Sequence, residues 1–346
     1  MEPYRRFFML QKLLVCDGLF GDGGEFRKVP TRDMFEEVLR HVRLRNPGGL
    51  FIITGVLKEC KIVDFNKMSW STRYLGSPVD IDDFQIVSMN DGSILTVGGT
   101  RVGKIGSATR KCFWLTCKGF TMVGRMESAR VGHALVALHD GRALAFGGYG
   151  RRMKEERTVL ASMEYFSLAS QKWTTSAVTL PRAASNLAAV VLTDGTVFIM
   201  EEGTDEYEEA PMCYIFDPTL ETFMPRKGMT KRRLAFGAAL MPDGCVLVCG
   251  GRSGKERQNP YYPFEIYKHC ELYNPVTDTW GVFPDMEMGV FNHSCAVMSS
   301  FIVVMGRETE RMYQRFDFGT WKWESRLHGI SNLGECVICP FMDYDI

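Results

Sequence analysis

An Asp-Gly pair followed by a short apolar run recurs four times along the chain, at Asp91-Gly92, Asp140-Gly141, Asp194-Gly195 and Asp243-Gly244. Each pair is also preceded by an apolar run: Phe84–Met89, His133–Leu138, Leu187–Leu192 and Phe236–Met241. Asp-Gly supplies the turn conformation that joins two antiparallel strands, so each unit reads as strand, tight turn, strand. A chain of evenly spaced hairpins belongs to the all-β class.

Each second strand ends in a doublet at a fixed distance: Gly98-Gly99, Gly147-Gly148, Glu201-Glu202 followed by Gly203, and Gly250-Gly251. Glycine there permits a sharp exit from the strand. Downstream, two hydrophobic or aromatic residues stand seven positions apart: Phe113/Phe120, Phe166/Trp173, Phe216/Phe223 and Tyr273/Trp280. Turn formers such as Asp217-Pro218 and Asn274-Pro275 lie between them, marking a second hairpin. Two degenerate copies fit the scheme. Thr54-Gly55 precedes Val63/Trp70, and Met305-Gly306 precedes Phe316/Trp323, with Ser299-Ser300 in place of Asp-Gly. The period is therefore about 50 residues, with four strands in each.

One such sheet leaves both faces unburied, and only stacking neighbours covers them. Through Gly98-Gly99, Gly147-Gly148, Gly250-Gly251, Tyr273-Asn274-Pro275 with Trp280, and Phe166 with Trp173, the chain resembles the Kelch-repeat superfamily over residues 37 to 341. The resemblance implies a Kelch-type β-propeller of six blades with four antiparallel strands each. The segment 332 to 341 reads as a last strand without a downstream partner, placed to close the ring on the first blade. The expected organisation is an N-terminal extension, 1–36, and a propeller, 37–346. Seven blades are the alternative, with residues 7 to 28 joining the C-terminal strand. Met34, Phe35, Val38, Leu39 and Val42 recur at helical spacing and point instead to a short helix packed on the ring.

Lys+Arg and Asp+Glu both number 41, so no global field draws the protein to nucleic acid or an anionic membrane. No apolar run reaches a membrane span and the N-terminus lacks a secretory h-region, which makes a soluble cytoplasmic protein the expectation. The 11 cysteines are irregularly spaced and mostly lie inside apolar runs, as buried reduced thiols do.

No constellation reads as catalytic or metal-binding. Gly98-Gly-Thr-Arg-Val-Gly103-Lys104 mimics a phosphate loop, but Ile105 replaces the required Ser or Thr and no helix follows. Cys336 and Cys339 have zinc-knuckle spacing, yet i and i+3 in a strand face opposite ways. Cys245 and Cys249 share a face but lie in an apolar strand without His or carboxylate neighbours, and so read as core filler. His133 and His293 both fall in first strands, with registers two residues apart in the blade alignment, and read as packing. Trp173, Trp280 and Trp323, recurring once per blade, read as packing between blades. Arg130 and Arg233 stand 17 residues before Gly147 and Gly250, with Arg182 and Arg232 nearby. Either they bond carbonyls of a neighbouring blade, or they form a charged rim that grips an acidic segment.

The loops after the doublets vary most, and propellers present function there. Residues 149 to 157 are net basic and include Arg151 and Arg152. Residues 201 to 209 are acidic, with Glu206 beside Tyr207. Residues 252 to 268 carry Lys255, Arg257, Tyr261, Tyr262 and Phe264. Arginine and aromatic side chains are enriched where proteins dock. The expectation is a non-catalytic interaction module or scaffold that offers these nine residues to a partner protein or larger complex, with no cofactor and no metal. Family resemblance implies adaptor or scaffold roles, although nothing like a BTB or F-box segment precedes the repeats. The alternative it implies is a metal-dependent oxidase or sugar-acid mutarotase with a site at the channel mouth.

Overall fold

A computed structural model describes residues 49–54, 59–64, 69–74, 81–101, 107–116, 119–150, 158–203, 212–254, 264–298, 300–306, 312–327 and 336–341. The expected helix over 34 to 42 and the extension 1–36 lie outside them.

The strands in chain order are β1 (Gly49–Thr54), β2 (Glu59–Asp64), β3 (Ser69–Tyr74), β4 (Ile81–Asp82), β5 (Gln85–Ser88), β6 (Ile94–Val97), β7 (Thr100–Arg101), β8 (Thr109–Thr116), β9 (Gly119–Arg130), β10 (Ala134–Ala137), β11 (Arg142–Phe146), β12 (Met163–Ser167) and β13 (Lys172–Thr175). They continue as β14 (Ala188–Val191), β15 (Val197–Met200), β16 (Cys213–Asp217), β17 (Thr222–Arg226), β18 (Gly237–Leu240), β19 (Val246–Cys249), β20 (Cys270–Asn274), β21 (Thr279–Phe283), β22 (His293–Val297), β23 (Phe301–Gly306), β24 (Met312–Asp317), β25 (Lys322–Leu327) and β26 (Cys336–Phe341). Among the described residues they form six four-stranded sheets, ordered β26-β1-β2-β3, β5-β6-β8-β9, β10 to β13, β14 to β17, β18 to β21 and β22 to β25. We number these sheets one to six. A two-stranded ribbon joins β4 to β7. In sheet one the C-terminal strand runs antiparallel to the first, Cys336 opposite Thr54 and Phe341 opposite Gly49.

Turn chemistry explains the first hairpin of sheets two to five. The aspartate Oδ1 accepts the backbone N–H two residues on, from Ser93, Arg142, Thr196 and Cys245, at 2.9–3.0 Å. The following glycine takes φ of 83–89°. That conformation closes a three-residue loop that side-chain-bearing residues enter only with strain. Sheet six lacks the glycine, and its hairpin closes directly between Met298 N–H and Phe301 O at 2.8 Å.

The seven-residue spacing is a cross-strand register. Val63 pairs with Trp70, Phe166 with Trp173, Phe216 with Phe223, Tyr273 with Trp280 and Phe316 with Trp323. In sheet two irregularities between β8 and β9 shift the ladder, so Phe113 faces Met122 and Phe120 faces Leu115.

The described residues gather into two compact units, one within Val190–Leu333, the other within Pro47–Ala189 and Gly334–Ile346. In the first, Leu247, Cys249, Leu272, Phe283, Ile302, Val304, Phe316 and Trp323 share a core cluster. There Phe198 also stacks on Tyr273 at 4.1 Å between centroids. In the second, Leu95, Val97, Cys112, Ala145 and Phe166 share another. Burial pushes the Cys112 and Cys213 thiols up to about 12, so both stay protonated.

Candidate functional site

Arg130 and Arg233 are fully buried. Arg130 donates through Nη1 to Gly147 O at 2.9 Å and Ser162 O at 2.8 Å, and through Nη2 to Ser162 Oγ and Glu164 Oε1, both at 2.8 Å. Arg233 repeats the pattern in the other unit, with Gly250 O at 2.7 Å, His269 O at 2.8 Å and an ion pair to Glu271. Of the two sequence readings, the structural one holds. These side chains fasten one sheet to the doublet of the next, and a charged rim is excluded because neither guanidinium reaches solvent. The acidic partners did not stand out in the sequence. Glu164 also accepts from Glu127 N at 2.6 Å and Ser128 N at 3.0 Å, while Glu271 accepts from Thr230 N at 3.0 Å. In sheet six Gln314 fills the same place, exchanging bonds with Met288 N and O at 3.0 Å each.

The residue three positions beyond Arg130, and the one three beyond Val290 at the equivalent place, each wedge against the preceding doublet. A Cβ on Gly98 would meet Arg130 O at 2.6 Å and His133 Cε1 at 2.7 Å, and one on Gly250 would meet Val290 O at 2.5 Å and His293 Cε1 at 2.7 Å. His133 and His293 therefore occupy the same position, which corrects the two-residue offset expected from the sequence. One residue of the offset lay in the sixth doublet, which begins at Gly306 opposite His293 instead of ending there, and the other in the sixth hairpin, whose loop holds two residues where the Asp-Gly loops hold three. Leu187 holds this position against Gly147.

The fourth doublet, at Glu201, is also corrected. Glu201 N donates to Met212 O, as Gly98 N does to Lys111 O, but it is Gly203 N, rather than Glu202 N, that bonds the buried arginine's carbonyl (Arg233 O, 3.0 Å), as Gly99 N bonds Arg130 O (2.9 Å). One residue has been inserted. Glu201 is 4% exposed and accepts from Met212 N, and Glu202 accepts from Ala235 N. Both are thereby withdrawn from the acidic surface expected over 201 to 209.

Beyond the doublets, the loop bases are backbone-braced. Tyr149 exchanges N–H and C=O bonds with Val131 at 2.7 and 3.0 Å, and Arg252 does so with Leu234 at 2.9 and 3.0 Å. Gly150 N then bonds Thr158 O, and Ser253 N bonds Glu265 O. The loops 151–157 and 255–263 thus spring from equivalent ends of their sheets. Arg151, Arg152, Glu206, Tyr207, Lys255, Arg257, Tyr261 and Tyr262 lie outside the described residues. Phe264 lies within them, half-buried, its ring edge-on to Phe291 at 5.3 Å with the Arg252 guanidinium 4.9 Å above it. Arg252 and Phe291 did not stand out in the sequence.

Two of the three tryptophans join neighbouring sheets by their indole N–H: Trp280 Nε1 donates to Lys227 O and Trp323 Nε1 to Pro284 O, both at 2.8 Å. Cys249 does have a histidine neighbour, contrary to the sequence reading, for packing of sheet five on sheet six sets His293 Nε2 3.6 Å from its Sγ. No group of three or more His, Cys, Asp or Glu among the described residues is arranged to hold a metal ion. No described helix is long and apolar enough to cross a membrane.

No protein-family model matches the chain. It is 24% identical to Kelch-like protein 38 of Rattus norvegicus over 287 residues, 80% of this chain and 45% of that protein. It is 24% identical to alpha-scruin of Limulus polyphemus over 201 residues, 56% of this chain and 20% of that protein. The chain thus spans less than half the length of either relative. The solved structure of YjhT superposes with a TM-score of 0.64 at 11% identity, covering 82% of this chain and 98% of that one. Repeat, sheets and likenesses define the class. The fold is that of a Kelch-type β-propeller, and in sequence the chain is similar to Kelch-repeat proteins.

Proposed function

We propose that this protein is a non-catalytic interaction module of the cytoplasm that docks a partner protein, or a larger assembly, on the loops following its glycine doublets. The reading treats residues 37–346 as one propeller closed by 332–341, with 1–36 as an extension. Arg151, Arg152, Glu206, Tyr207, Lys255, Arg257, Tyr261, Tyr262 and Phe264 are its contact residues. The observation that carries it is the half-buried stack of Arg252 on Phe264 and Phe291 at the braced base of the loop 255–263. A guanidinium over two aromatic rings is the kind of rigid amphipathic anchor that dominates protein interfaces. The likeness to Kelch-repeat proteins supports an interaction role.

The test is affinity capture from the native source with wild-type protein and with the Phe264→Ser, Tyr261→Ser, Tyr262→Ser triple variant, followed by identification of co-eluting proteins. Proteins retained by the wild type and lost by a folded variant are the expected result. An undiminished set from the variant, or stoichiometric copper or iron in the purified protein, overturns the reading.

A further inference from the structure

Three chemistry-bearing side chains, Cys249, Cys295 and the His293 that wedges against Gly250, converge between sheets five and six. Cys249 ends β19, fully buried, and its Sγ lies 3.6 Å from His293 Nε2 and 3.8 Å from Gly237 O. Cys295 follows two residues after His293, so both side chains leave the same face of β22. Gly237, the residue paired with Cys249 across β18 and β19, locates the second thiol. A Cβ built on it would stand 2.7 Å from His293 Nε2 and 3.2 Å from Cys295 Cβ. A side chain at 237 would therefore fill the space in which the two cysteines and the imidazole meet. Cys295 packs against the core cluster that contains Cys249, but it is partly exposed whereas Cys249 is not. His293 Nδ1 has no hydrogen-bond partner among the described residues.

We infer that Cys249 and Cys295 are a redox-active dithiol that hydrogen peroxide converts into a disulfide linking sheet five to sheet six, with His293 as the base. The partly exposed thiol meets the oxidant first: Cys295 sulfur attacks the peroxide oxygen, the O–O bond breaks, and Cys295 becomes a sulfenic acid with release of water. Cys249 then attacks the sulfenyl sulfur. Its proton passes to His293 Nε2 and on to the departing hydroxide, so that a second water leaves as the S–S bond forms. Two thiols have lost two electrons and two protons to one peroxide. The Cys295 thiol is also the neighbour that does most to raise the Cys249 pKa, followed by burial. Cys249 is thus inert as a first nucleophile, and its part is to resolve the sulfenic acid.

The test uses the full chain and hydrogen peroxide. Peptide mapping after oxidation should yield one linked pair, the Cys249 and Cys295 peptides, reversible by dithiothreitol. With a sulfenic-acid trap present, Cys249→Ser should accumulate the adduct at Cys295, while Cys295→Ser should give no adduct at Cys249. His293→Phe, the residue type found at Phe236 in the neighbouring sheet, should slow linkage by at least ~10-fold, the scale of a general base. Linkage of other cysteines, an adduct at Cys249 in the Cys295→Ser variant, or linkage at the wild-type rate in a folded His293→Phe variant would each overturn the inference.

Discussion

Replacing Arg130 by methionine isolates what the buried arginines contribute. Methionine keeps the stem that fills the space and removes every donor. Gly147 O and Ser162 O lose their guanidinium partners, and Glu164, 1% exposed, retains two backbone donors but no counter-charge. Breaking a buried ion pair by removing one partner costs about 3–5 kcal/mol, because the surviving charge is stranded in a poorly polarisable site. For a domain of this size that corresponds to a fall in melting temperature of roughly 6–15 °C. Equilibrium unfolding in urea, followed through tryptophan fluorescence, measures the loss. The double variant Arg130→Met, Glu164→Met removes the stranded charge, so it should be less destabilised than the sum of the single variants, by at least ~2 kcal/mol. A single-variant cost below ~1 kcal/mol, or strict additivity, would refute the account of the pair as a mutually dependent clamp.

Gly250→Ala should be far more damaging than Gly141→Ala. Both positions have positive φ, but a Cβ at 250 would sit 2.5 Å from Val290 O whereas one at 141 meets nothing within 4 Å. The expected costs are at least ~3 kcal/mol against about 1–2 kcal/mol, and similar costs would contradict the packing described. His133 should make folding sensitive to acid. Burial, with Arg130 nearby, lowers its pKa to about 3, while the unfolded chain takes up the proton near 6.5. Stability is thus complete above about pH 6.5 and lost as pH falls towards 3, by up to ~1.4 kcal/mol per pH unit. His133→Phe should flatten that limb in pH-dependent denaturation, and an unchanged limb would sink the assignment. Trp323→Phe should cost about 1–3 kcal/mol through the lost bond to Pro284 O and lost packing, more than Trp280→Phe at a half-buried site. Calorimetry ranks the two, and the reverse order would contradict the burial seen here.

What the sequence disclosed depended on how local the signal was. The Asp-Gly turns, the strand ends and the seven-residue pairs all arise within a dozen residues, and β6, β15 and β19 fall where turn chemistry places them. The glutamates that complete the arginine sites lie 34 and 38 residues downstream, on third strands whose own pattern is merely apolar. Their only trace is a charged residue inside a buried strand, in Met163-Glu164 and Cys270-Glu271. The contact between Cys249 and His293 spans 44 residues and two sheets, beyond any periodic reading. Where doublets were degenerate, as at Glu201 and Gly306, alignment by residue type slipped, because the ladder keeps step by backbone bonds and not by side-chain identity. The candidate site was least legible: of the nine contact residues proposed, only Phe264 can be set against neighbours.

The inserted residue at Glu202 carries a wider consequence. There a carboxylate takes up an amide that elsewhere goes to a peptide oxygen, and the seam survives the exchange. If the couplings between petals are written mainly in peptide groups, which every amino acid supplies, descendants can rewrite most of their letters and keep the plan. A likeness of shape at 11% identity, with no family profile recognising the chain, is what such freedom leaves behind.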